Sequence, residues 1–97
     1  MSRDEILELL KSHYPEMVEL FDVASLSIFG SISRDEHDDS SDLDVLVSFQ
    51  GAATFDGYMG LKFYLEELLG RHVDLITPPA LRPRLRRRIE NELLHVA

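Results

Sequence analysis

A chain of 97 residues with 44% hydrophobic and 29% charged side chains has the composition of one small folded domain, 1–97, which excludes a largely disordered protein. A formal net charge of −8 argues against a protein whose main task is to grip nucleic-acid phosphates, a task that calls for a basic face. The absence of cysteine excludes disulfides and thiolate metal sites. No apolar run approaches a membrane span and the N-terminus lacks a signal-peptide layout, so a soluble cytoplasmic protein is expected.

Ser2 and Glu5 have the spacing of a capping box, and Ile6, Leu9, Leu10 and His13 follow at helical intervals. Pro15 is expected to end this helix or start another, with Met17, Val18, Leu20 and Phe21 forming a short second helical turn. Ala24–Phe29 reads as a first strand closed by Gly30 and Ser31. A short helix over Ile32–Glu36 and a polar loop, His37–Ser41, come next. Leu43, Val45, Leu46, Val47 and Phe49 make a second strand, rich in β-branched residues. Thr54 or Asp56 can cap a helix whose apolar stripe is Tyr58, Leu61, Leu65, Leu68 and Leu69, and Gly70 sits where a left-handed C-terminal residue belongs. His72–Ile76 is a third strand, Thr77-Pro78-Pro79 breaks the chain, and residues 82–96 form a last helix with Leu85, Ile89, Leu93 and Leu94 on one face. The expected fold class is α/β (α+β), a small mixed sheet of about three strands flanked by helices.

Charge is unevenly placed. Six acids (Asp35, Glu36, Asp38, Asp39, Asp42, Asp44) crowd one segment, and five arginines (82, 84, 86, 87, 88) crowd another. A strand that ends in glycine and turns into a helix brings backbone N–H groups close to a ligand, and Ser31 adds a hydroxyl, a combination suited to phosphate. Asp42 and Asp44, two apart on a strand, point to one face, where two carboxylates repel unless a cation lies between them. Oxygen ligands of this kind suit Mg²⁺. Asp74 interrupts the apolar run Val73–Ile76 and reaches the same site if the third strand lies beside the second. There it can ligate metal or take a proton from an attacking hydroxyl. Each feature alone also fits an ordinary turn, a solvated strand end or an edge-strand guard charge. His37, His72, Tyr58, Tyr64 and the five arginines read as solvated or packing residues, although arginines on that helix could also meet phosphates or an acidic partner face.

The constellation is more specific than its parts. Gly30-Ser31, ten residues and then Asp42-Leu43-Asp44 resemble the signature of DNA polymerase β-like nucleotidyltransferases. LSIFGSISR before the loop, SDLDVLVSF after it and VDLI later are most similar to the minimal nucleotidyltransferase (MNT) group, over about Leu26 to Ile76. The resemblance implies the polymerase β-like fold, Gly30, Ser31 and Arg34 at the nucleotide, and Asp42, Asp44 and Asp74 as catalytic, Mg²⁺-binding carboxylates. It implies an antitoxin in a hetero-oligomeric complex with a HEPN ribonuclease toxin, transferring AMP from ATP to a toxin tyrosine, with no direct nucleic-acid or membrane partner. Where the group often has glycine after the arginine, this chain has Asp35. An antitoxin that neutralises by binding alone, and a transferase for a small molecule, are the alternatives.

Overall fold

The computed structural model describes residues 1–97. Helix α1 spans Arg3–Phe21, strand β1 Val23–Phe29, the single turn α2 Gly30–Ser33, and β2 Leu43–Phe49. Helix α3 spans Phe55–Leu69, β3 Val73–Ile76, α4 Pro83–Ile89 and the two-residue β4 Leu94–His95, with a 3₁₀ turn at Pro78–Ala80 between β3 and α4. The strands form one sheet in the order β3-β2-β1-β4. β1 pairs antiparallel with both β2 and β4, while β2 and β3 run parallel.

Four strands, rather than about three, build the sheet. The expected last helix over 82–96 stops at Ile89, and Leu94 instead enters β4 opposite Ile28. The short helix expected over Ile32–Glu36 starts two residues earlier and spans Gly30–Ser33. Pro15 neither ends nor starts a helix: α1 runs through it. The reason is tertiary. Met17, beyond the proline, is fully buried with Ile6 and Leu10, and Phe21 packs edge-on against Tyr64 at 5.6 Å between ring centroids. Burial of such side chains is worth roughly 1.5–3 kcal/mol each, enough to offset the ~3 kcal/mol cost of an interior proline.

Alternation along the strands separates two sheet faces. Leu43, Val45 and Val47 of β2, Leu26 and Ile28 of β1, and Val73 and Leu75 of β3 share a core with Ile6, Leu10 and Met17 of α1 and Leu61, Leu65 and Leu69 of α3. The capping box at Ser2 and Glu5 starts α1, with the Glu5 N–H donating to Ser2 Oγ at 3.1 Å. Thr54 caps α3 and Gly70, at φ 64°, ends it. With both helices fixed to one face, the other face of the sheet carries Phe29, Asp44 and Asp74. No helix is long and apolar enough to cross a membrane.

Candidate active site

The central residue of the open face is Asp44. Its register partner on β1 is Phe29 and its register partner on β3 is Asp74, so one carboxylate-bearing position faces another directly across a parallel pair. Phe29 is followed at once by Gly30, at φ 78°, a conformation that L side chains rarely adopt. Gly30 is also where the Asp44 carboxylate lies: a Cβ there would overlap Asp44 Oδ2 and sit 3.0 Å from its Cγ. The absent side chain therefore makes the space that the aspartate occupies. Ser33 Oγ donates to the Gly30 carbonyl at 2.9 Å and closes the turn.

Asp42 lies one residue ahead of β2 rather than on it, and it is exposed. Its Oδ2 is 3.4 Å from His72 Nδ1, and His72 Nε2 is 3.9 Å from Glu66 Oε2. Glu66 in turn accepts the Val73 N–H at 3.0 Å, which ties α3 to the start of β3. Tyr58 of α3 donates its hydroxyl to the Leu75 carbonyl, anchoring the same strand. The loop before Asp42 is also held: Asp38 Oδ1 accepts from Ser40 N–H at 2.9 Å, and Arg71 donates to the Ser41 carbonyl at 3.0 Å. Asp74 is exposed on the sheet's edge strand.

Electrostatics identifies Asp44 as the strained member of the set. Burial, then the charges of Asp74 and Asp42, push its carboxyl up to about 6. Carboxylate oxygens at Asp44 and Asp74, facing each other on adjacent strands, have the donor chemistry that suits a hard divalent cation such as Mg²⁺. The carboxylates are not drawn tightly together, however: no three carboxylate or imidazole groups converge on a common point.

Beside Asp44 opens a cleft of about 290 Å³, lined on one wall by Phe29, Gly30, Ser31 and Arg34 and on the other by α4 and the segment after it, including Arg88 and Glu92. Arg34 is paired with Glu36 at 3.1 Å and Glu92 at 2.9 Å. Glu92 had no signal in the sequence, since it lies 62 residues from the Gly30 N–H that it accepts at 3.1 Å. A larger hollow of about 610 Å³, bounded by Arg82, Pro83, Arg84 and Arg87, has no carboxylate on its walls.

Asp35, in place of the glycine common in the MNT group, has φ 59°. The position thus demands the left-handed backbone that glycine supplies most easily, and aspartate is among the few other residues that tolerate it.

A small four-stranded α+β sheet with a glycine turn at the end of one strand and facing carboxylates on the next two defines a nucleotidyltransferase scaffold. The chain belongs to the nucleotidyltransferase domain family, which it matches over residues 4–96. It is 33% identical over 96 residues to protein adenylyltransferase MntA of Thermococcus cleftensis, covering 99% of this chain and 97% of that one. It is 37% identical over 93 residues to MJ0128 of Methanocaldococcus jannaschii, provisionally named a protein adenylyltransferase, with 95% of each chain covered. Among solved structures, one described provisionally as a minimal nucleotidyltransferase superposes with a TM-score of 0.80 at 32% identity, over 97% of this chain and 95% of that one. A chain of the complex between tri-AMPylated Shewanella oneidensis HEPN toxin and MNT antitoxin shares the fold, with a TM-score of 0.65 at 16% identity over 94% and 71% of the two chains.

Proposed function

We propose that this protein is the antitoxin of a HEPN/MNT pair and acts in the cytoplasm as an Mg²⁺-dependent protein adenylyltransferase, moving AMP from ATP to a tyrosine of its HEPN toxin. The observation that carries the proposal is the register of Asp44 opposite Asp74, one strand away from the Gly30 turn. The names of the relatives support adenylyl transfer to protein, and the fold shared with a chain of an AMPylated HEPN toxin complex supports the partner.

Asp42, Asp44 and Asp74 would hold the metal, which when bound neutralises phosphate charge and polarises the α-phosphorus. Ser31 offers a hydroxyl to the phosphates, and the Gly30 N–H and Arg34, both bonded to Glu92 in the free protein, lie at the same end of the cleft. Asp74, exposed on the edge strand, is open to an acceptor presented by another protein and can take its hydroxyl proton. The tyrosine oxygen then bonds to the α-phosphorus, the bond to the bridging oxygen breaks, and pyrophosphate leaves with that electron pair. Incubation with α-labelled ATP, Mg²⁺ and the toxin should label the toxin, and Asp42→Ala/Asp44→Ala should abolish the label. Absence of label from the wild type with the complex formed would refute the proposal.

A second reading, neutralisation by binding alone, is favoured by the separation of the three carboxylates. It replaces the first if the double variant still neutralises the toxin and neither protein modifies it.

A further inference from the structure

Glu92 stands on the turn between α4 and β4, with its N–H donated to the Ile89 carbonyl at 2.9 Å. Four residues further on, the Val96 N–H donates to the Leu26 carbonyl at 2.8 Å and fixes the segment to β1. The Glu92 side chain is only 17% exposed and reaches into the cleft beside Asp44. Its two oxygens are used separately. Oε1 accepts the Gly30 N–H at 3.1 Å, and Oε2 accepts from Arg34 Nη1 at 2.9 Å. Burial pushes this carboxyl up, but the Arg34 hydrogen bond, the Gly30 N–H and the charges of Arg34 and Arg88 outweigh it and hold the group below the usual carboxylate range.

A backbone N–H at a glycine turn and a guanidinium one helical turn later are the donors that an oxyanion of phosphate would use. The N–H and the guanidinium's Nη1 are taken by a carboxylate of the chain itself, and Glu36 holds the guanidinium's Nε. A second anion cannot share them: two like charges at contact distance in a partly desolvated cleft repel strongly. We infer that Glu92 stands in for a nucleotide phosphate, closing the Gly30 turn in the free protein and leaving it when a phosphate takes over the Gly30 N–H and Arg34.

This inference rests on the nucleotide reading above and deepens it by naming the residue that the phosphates must displace. Arg88 shares the cleft with Glu92 and makes no ion pair in the structure, so it is positioned to receive the released carboxylate. A ligand with several phosphate charges has more to gain from Arg34 and Arg88 than a single carboxylate has. Glu92 therefore acts as a threshold that favours polyphosphate over weakly charged ligands.

Calorimetric titration of ATP and, separately, of inorganic tripolyphosphate into wild type and Glu92→Gln, at fixed Mg²⁺, tests this directly. Removing the competing charge should tighten polyphosphate binding by about tenfold or more, since charge-assisted hydrogen bonds are no longer contested. If ATP binds both proteins and the variant is no tighter, the inference fails while the nucleotide reading stands. If only tripolyphosphate binds, and binds the variant more tightly, the inference stands and the nucleotide reading fails. If neither ligand binds either protein, both fail. Hydrogen exchange on the wild type serves should the variant not fold: saturating tripolyphosphate should speed exchange across residues 90–93. Unchanged or slower exchange there would overturn the inference.

Discussion

Gly30 and Asp44 occupy one space: the hydrogen of the glycine stands where a Cβ would meet the aspartate's carboxylate. Glycine is required there twice, for its φ of 78° and for the carboxylate beside it. Gly30→Ala should cost about 1–3 kcal/mol of stability through backbone strain and overpacking. It should also displace Asp44 and remove transferase activity. Urea unfolding with a parallel transfer assay checks both, and an alanine variant of unchanged stability would show that the turn relaxes freely.

Asp44 makes the metal-free protein pH-sensitive. Its carboxyl is raised from an ordinary 3.8 to about 6, by burial and then by Asp74 and Asp42, so the folded state binds the proton more tightly than the unfolded chain. The stability contributed by the protonated form is complete below 3.8 and is lost as pH rises through about 6. Without Mg²⁺, Asp44→Asn should therefore gain in Tm over wild type as pH rises across that window, then hold its lead. Mg²⁺ should raise the wild-type Tm at pH above 6 more than that of the variant. A Tm difference independent of pH would contradict the assignment.

Pro15 lies inside α1 at an exposed position and cannot donate a backbone hydrogen bond. Pro15→Ala should stabilise the protein by roughly 1–3 kcal/mol, read as a shift of the urea midpoint at constant slope. A destabilised variant would mean that α1 depends on the shape the proline imposes.

Asp35 is left-handed at φ 59°. Asp35→Gly should change stability in the favourable direction by up to ~1 kcal/mol, the relief of the backbone outweighing the entropy lost by glycine. Denaturant unfolding of the pair decides the sign.

What the sequence disclosed divides by range. The turn at Gly30-Ser31, the carboxylates at Asp42 and Asp44, and Asp74 in an apolar run were legible because each sits in a local pattern of strand, glycine and charge. The continuity of α1 through Pro15 was not, because Met17 and Phe21 override a local breaker only when the sheet and α3 are present to pack against them. β4 was not legible, because Leu93 and Leu94 fit a 3.6-residue stripe with Leu85 and Ile89. The departure from helix follows from the pairing of Leu94 and His95 with Ile28 and Ser27. Glu92 was one acid among many until the fold brought it to Gly30.

The most direct measurement is the intact mass of the proposed HEPN partner after incubation with this protein, ATP and Mg²⁺. The mass should rise by one or more AMP units, the added group should map to a tyrosine, and Asp42→Ala/Asp44→Ala should leave the partner unchanged. A partner that forms the complex, is neutralised and gains no mass would contradict transfer and leave binding as the means of neutralisation.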